Sequence, residues 1–339
     1  MVKTVRRAAL GWLVIAVIAA VPIIALGARV DAAAGAKPSQ AGPRKTPKPA
    51  ATPTQPPTAA PTILPTSVPT APPPAVLVGA GDIASCSSSG DEATAAVLAT
   101  VSGTVFTLGD NVYDNGTPTE YANCYGPSWG VASIKSRTKP VAGNHEYNTL
   151  NATGYYGYFG AAAGDPTKGY YAYDHGSWRV YVLNSNCASI GGCTAGSPQE
   201  TWLRGDLTNN PRACVVAMWH HPLYSSGEHG NSTATQALYQ TLYDFNAELV
   251  LVGHDHDYER FAPQDANGNL DNGRGIVEMV VGTGGRSHYA FTTIRANSLV
   301  RNGTSYGVLR LALSNGSWAS QFLPVAGQTF SDSGSGTCH

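Results

Sequence analysis

Apolar residues fall into two textures along the chain. Near the start they form one block: Lys3, Arg6 and Arg7 precede an uncharged run over residues 8–28. A positive start followed by such a run predicts an export signal. The run is longer than the roughly 7–15 apolar residues of a cleaved signal and close to the about 20 that cross a bilayer. Leu26, Gly27 and Ala28 offer a cleavage site, so cleavage within residues 1–28 and retention as a membrane anchor both stay open. Residues 29–74 show no apolar period; they are Ala, Pro and Thr with scattered Lys and Arg. Such a segment buries too little apolar surface to offset its ordering entropy, which predicts a disordered stalk.

From residue 75 onward the pattern changes to short apolar runs separated by glycine-rich loops. Runs at 75–78, 104–108, 214–219, 248–252, 275–281, 306–313 and 317–323 have strand length and strand composition. Residues 170–174 and 178–184 predict a hairpin around the turn 174–177. Helical spacing appears at 91–101, with an acidic first turn that suits the helix dipole, and at 198–207, with Trp202, Leu203 and Leu207 on one side. It appears again at 232–245, where Leu238, Leu242 and Phe245 follow an i, i+4, i+7 pattern. Strands that alternate with helices and then give way to a strand-rich end predict a mixed, layered α/β catalytic domain over residues 75–339.

Composition adds the compartment. The 339 residues carry a formal net charge of -1, and nothing in that balance points to nucleic acid or an acidic membrane surface as the main partner. Only 13% are charged, against about 25% in an average soluble domain. The 6 cysteines are even in number and form no Cys-x-x-Cys pair, which points to disulfides in an oxidising compartment rather than to zinc knuckles. The protein is therefore expected to be secreted or extracytoplasmic, with membrane anchoring through residues 8–28 as the open alternative.

Five segments share one design: each is expected to be an apolar strand followed at once by a polar residue able to bind metal. The run 76–81 leads to Asp82, 105–109 to Asp110, 140–143 to Asn144 and His145, 215–219 to His220, and 249–253 to His254 and His256. Ligands gather at the carboxyl ends of strands in α/β sheets, and a glycine before the polar residue lets the backbone turn and approach closely. Each piece alone is an ordinary loop signal. Together they place carboxylates, an amide and imidazoles along one sheet edge, a donor set for first-row transition metals rather than calcium.

In order, Gly81-Asp82, Gly109-Asp110-Asn111-Val112-Tyr113, Gly143-Asn144-His145-Glu146, the His220 segment and Gly253-His254-Asp255-His256 resemble the blocks of the calcineurin-like metallophosphoesterases. Tyr113 and the continuation Asp257-Tyr258-Glu259-Arg260 are similar to the purple acid phosphatase branch. The resemblance covers residues 75–325 and implies a four-layer α/β/β/α sandwich with mixed sheets. It departs from plant-type relatives, which carry a β-sandwich domain where this chain has only the stalk.

The resemblance implies one metal on Asp82, Asp110, Tyr113 and His256, and a second on Asp110, Asn144, His220 and His254. Carboxylates and a phenolate suit Fe(III) at the first site; the second suits Zn, Fe or Mn in the divalent state. Metals about 3.5–4 Å apart generate a hydroxide nucleophile and clamp a phosphoryl group. His145 is the expected acid for the leaving group, and His229 a further substrate-facing histidine. The implied substrate is a small phosphate monoester, with a diester as the alternative on the same site. A catalytically silent surface module is a third reading, which a missing ligand would support; every expected ligand type is present. No Gly-x-Ser-x-Gly elbow supports a serine hydrolase. His221 is expected to be structural or to support a ligand, His288 to be a loop residue, and Tyr258 and Arg260 to brace the His256 loop. For the cysteines, Cys187 and Cys193 flank a glycine-rich turn, Cys86 and Cys124 follow the Asp82 and Tyr113 loops, and Cys214 with Cys338 remain by elimination.

Overall fold

The strand Ala75–Ala80 pairs antiparallel with Gly307–Ser314 and parallel with Thr104–Thr107. These strands are central in a computed structural model that describes residues 72–339 and three isolated positions, 42, 47 and 48. The expected signal or anchor at 1–28 and nearly all of the expected stalk at 29–74 lie outside the described residues. Among the described residues no helix is long and apolar enough to cross a membrane.

Thr138–Lys139 extends this sheet on one side, and Ser317–Pro324 with Ser333–Thr337 on the other, to make 6 strands. A second sheet of 7 strands runs in the order Ser298–Asn302, Tyr258–Phe261, Val277–Val281, Leu249–Val252, Val215–Met218, Trp178–Val182, Tyr171–His175. Its middle four strands are parallel and its margins antiparallel.

Side chains alternate across a strand, and here both faces are buried. Val216, Met218, Leu249, Leu251, Met279 and Val281 enter a core shared with Leu77, Val105, Leu309 and Leu311 of the first sheet. Their neighbours Val215, Ala217, Val250, Val252 and Val280 pack instead with Leu203 and Leu207 of the helix Pro198–Asn209 and Leu238 and Leu242 of the helix Gln236–Asp244. The helix Gly90–Thr100 covers the first sheet through Ala95 and Leu98. The layers are helix, sheet, sheet, helix, and the expected four-layer sandwich with mixed sheets is present. Double-sided burial is also why these strands read as continuous apolar runs.

Some expectations need correction. Residues 140–143 are not a strand: pairing stops after Lys139, because Pro140 has no N–H and the Val141 N–H donates to the Thr107 hydroxyl at 3.0 Å. The helix expected at 232–245 is a 3-10 turn, Thr233–Thr235, followed by Gln236–Asp244. Tyr258 and Arg260 do not brace the His256 loop directly. They lie in the strand Tyr258–Phe261, and both hold Asp332, at 2.8 Å from the Tyr258 hydroxyl and 2.7 Å from Arg260 Nε. The disulfides are Cys86–Cys124, Cys187–Cys193 and Cys214–Cys338, as expected. The first ties the loop after Asp82 to the turn Tyr121–Tyr125, and the last ties the chain end to the strand Val215–Met218.

Candidate metal centre

Strand ends from both sheets meet at one edge. Asp82 lies just past Ala75–Ala80, Asp110 past Thr104–Thr107, His220 past Val215–Met218, and His254 and His256 past Leu249–Val252. Asp82, Asp110 and His254 hold positive φ values of 60°, 47° and 73°. That conformation costs non-glycine residues about 1–3 kcal/mol each and recurs where side-chain placement matters more than backbone ease. Close approach also explains the glycines. A Cβ on Gly109, itself at φ 85°, would lie 2.5 Å from His220 Nδ1, and one on Gly143 would lie 2.1 Å from Asp110 Oδ1.

All seven residues expected to bind metal are brought together. The Tyr113 hydroxyl lies 2.8 Å from Asp82 Oδ1, 3.1 Å from Asp110 Oδ2 and 3.0 Å from His256 Nε2. His220 Nε2 lies 3.0 Å from Asn144 Oδ1, 3.2 Å from Asp110 Oδ2 and 3.2 Å from His254 Nδ1. His220 Nδ1 faces the Leu108 carbonyl at 2.7 Å, so that nitrogen carries the proton. In the neutral ring Nε2 then presents a lone pair to other lone-pair atoms. Such convergence is repulsive unless a cation or proton occupies it, and the donor set fits two transition-metal ions. Protonation answers part of the need. Against burial, the Asp110 carboxylate raises the His220 pKa to about 9. Asp110 is itself held well below the usual carboxylate range; burial opposes this shift, and His220 dominates it. Burial first, then the Asp110 and Asp82 charges, push the Tyr113 phenol well above its usual value. A phenolate there would need a bound cation.

The expected substrate-facing histidines are also present. His145 Nε2 lies 3.8 Å from Asp110 Oδ2, and its Nδ1 lies 2.6 Å from the Asp114 carbonyl, which orients the ring. The His229 ring lies 4.2 Å from that of His254, tilted by 35°. Its Nδ1 lies 3.0 Å from Asp255 Oδ1, a contact that raises the His229 pKa. His221 joins His220 and His254 in a cluster of possible ligands, yet its Nδ1 is 2.8 Å from the Ser185 hydroxyl. Burial, followed by the His220 charge, lowers its pKa to about 3, which keeps it neutral. His288 is a loop residue stacked 4.0 Å over Tyr306. His175 meets the Val76 carbonyl at 3.1 Å, away from the site.

Several supporting residues were not singled out from the sequence. Glu146 is fully buried and accepts from the backbone N–H groups of Asp110, Asn111 and Gly143 at 3.0, 2.8 and 2.6 Å, and from the Tyr121 hydroxyl at 3.0 Å. It fastens the Asp110 and Asn144 loops together. Burial and then the Asp110 charge push its pKa up to about 7, against the pull of these donors. Asp255 accepts from the His229 and Gly230 N–H groups at 2.8 and 3.2 Å and from the Ser225 hydroxyl, fixing the loop that carries His229. Ser287 lies 2.7 Å from His256 Nδ1 and orients that ring, while Tyr289 stacks on it at 4.0 Å. Glu146 and Asp255 sit inside the motifs already quoted, and that position was the available signal. Ser287 and Tyr289 had none.

A family model described as calcineurin-like phosphoesterase matches residues 75–258, more than half of the chain. The chain belongs to that family. An uncharacterized protein of Mycobacterium tuberculosis is 29% identical over 185 residues, covering 44% of this chain and 35% of the relative. Purple acid phosphatase 15 of Arabidopsis thaliana is 31% identical over 129 residues, covering 36% of this chain and 23% of the relative. The chain thus spans about a third or less of the length of these curated relatives. In structure it is similar to the purple acid phosphatase PPD1 from yellow lupin (Lupinus luteus) seeds, with a TM-score of 0.65 and 19% identity over 78% of this chain and 55% of that one. At that identity the likeness bears on the fold alone.

Proposed function

We propose that the protein is an exported two-metal hydrolase of phosphomonoesters, of the purple acid phosphatase type. The observation that carries this reading is the convergence of Asp82, Asp110, Tyr113 and His256 on one point, and of Asp110, Asn144, His220 and His254 on the next, with Asp110 common to both. The first set would hold Fe(III), the second a divalent Zn, Fe or Mn ion. Bound, the pair would supply Lewis acidity toward the phosphoryl oxygens and an activated water. The remaining chemistry belongs to the chain. His145, with Nδ1 held by the Asp114 carbonyl, presents Nε2 toward the centre and would give its proton to the departing alkoxide oxygen. His229, favoured as the cation by Asp255, would bind a phosphoryl oxygen. Every ligand type the centre needs is present, which disfavours a silent binding module.

Export rests on the charged start and the run 8–28, and three disulfides accord with an oxidising compartment. On this reading residues 1–28 direct export, 29–74 form a spacer and 75–339 the catalytic domain. The test is elemental analysis of purified protein, paired with hydrolysis of para-nitrophenyl phosphate and bis(para-nitrophenyl) phosphate. The reading expects about two metals per chain and faster monoester cleavage. Metal-replete protein that cleaves neither would refute it, and preferential cleavage of the diester would reassign the substrate.

A further inference from the structure

Arg286 lies at the rim of the metal centre and has no part in the ligand set. Its backbone N–H donates to the Asp82 carbonyl at 3.0 Å, and Gly284 N–H donates to the Gly81 carbonyl at 2.8 Å. The segment is thereby fastened to the turn that carries Asp82. The guanidinium lies 5.0 Å from the centroid of the Tyr113 ring, and the His145 ring lies 4.4 Å from the same ring. Asp114 holds both groups: its carbonyl meets His145 Nδ1 at 2.6 Å, and its carboxylate accepts from Arg286 Nη2 at 3.0 Å. Arg286 and the group expected to protonate the leaving oxygen therefore share one wall of the cleft. A leaving group that takes its proton from His145 departs alongside a guanidinium.

The present partner of that guanidinium is weak. The Asp114 side chain is 68% exposed, and an ion pair so open to water contributes little. The fork geometry of Arg suits two oxygens of a carboxylate or phosphate, so a substrate anion can displace Asp114. We infer that Arg286 is a specificity residue that selects phosphomonoesters whose leaving group carries a second anion, a carboxylate or a phosphate. The inference rests on the phosphoesterase reading above.

The test compares matched ligands on the metal-replete, full-length protein. KM is measured for phenyl phosphate and 4-carboxyphenyl phosphate. Calorimetric affinities are measured for phenylphosphonate, 4-phosphonobenzoate and 1,4-phenylenebisphosphonate, which are not hydrolysed; the last two separate carboxylate from phosphate preference. The wild type should favour the doubly anionic member of each set. Arg286→Ala should reduce that preference by roughly tenfold, and Arg286→Lys should retain part of it. Asp114→Asn should move the preference the opposite way by freeing the guanidinium, so the inference stays testable even if Arg286→Ala fails to fold. A preference that neither substitution changes would overturn it. So would an Arg286→Ala defect in kcat that is equal for both esters, because Arg286 would then act through Tyr113. If metal-replete wild type neither cleaves the esters nor binds the phosphonates, the phosphoesterase reading itself falls.

Discussion

Adding one methyl group at Gly143 would strike Asp110, the proposed shared ligand. A Cβ there would stand 2.1 Å from Asp110 Oδ1 and 2.2 Å from Asp110 N, where real Cβ contacts essentially never fall below 3.0 Å. Gly143 does not have a positive φ, so alanine meets steric conflict and no backbone penalty. Part of the clash is with backbone, and rotating a side chain cannot relieve it. The two loops must separate by about 1 Å, against the hydrogen bonds by which Glu146 holds both. Overpacking of this kind costs about 1–3 kcal/mol of stability, and a 1 Å misplacement of a reacting group costs on the order of 100-fold in rate. Gly143→Ala should therefore fold with a lowered urea midpoint, lose metal on dialysis against a mild chelator, and turn over esters about 100-fold more slowly. Gly157→Ala is the control: nothing lies within 4 Å of its added Cβ, and its helix Thr153–Phe159 should gain up to about 1 kcal/mol. Full metal content and full activity in Gly143→Ala would refute Asp110 as the shared ligand.

Other substitutions separate individual roles. His145→Ala should keep both metals and lose about 10²–10⁴ in rate, with a smaller loss for esters of acidic alcohols; equal loss across leaving groups removes His145 as the acid. If Tyr113 binds Fe(III), iron-loaded oxidised protein should absorb in the visible, and Tyr113→Phe should bleach it and hold iron less tightly; colourless, iron-containing, active wild type would place Tyr113 outside the ligand set. Glu278 is fully buried and accepts from the Leu223 and Tyr224 N–H groups at 3.0 and 3.2 Å, and its second oxygen has no partner among the described residues. Burial raises its pKa from 4.5 to about 8, so the folded state holds this proton more tightly than the unfolded chain and loses stability as pH rises through that interval. Glu278→Gln should accordingly raise the Tm at pH 8 by more than at pH 5, and an equal effect at both would contradict the assignment.

Much of this was legible in the chain because the central strands are buried on both faces. Val215–Met218 and Leu249–Val252 must be apolar throughout, and a polar residue right after such a run stands out as a candidate sheet-end ligand. The ligand types, their order and the layered α/β class follow from this local pattern. Edge strands carry no such mark. Ser298–Asn302 and Ser333–Thr337 are strands because a neighbour offers them hydrogen bonds, and neither has an apolar run. The supports of the site were hidden for a related reason. Glu146 bonds the N–H of Asp110 across 36 residues, Ser287 meets His256 across 31, and Arg286 reaches Asp114 across 172. Sequence by itself determined which residues could hold metal and that most of them stand at strand ends, Asn144 being the exception, because burial and turn chemistry act locally. Which atoms share a point, which carboxylate orients which ring, and which cation meets Asp114 beside His145 were decided only when the two sheets packed, because those relations are contacts between loops that the chain itself keeps far apart.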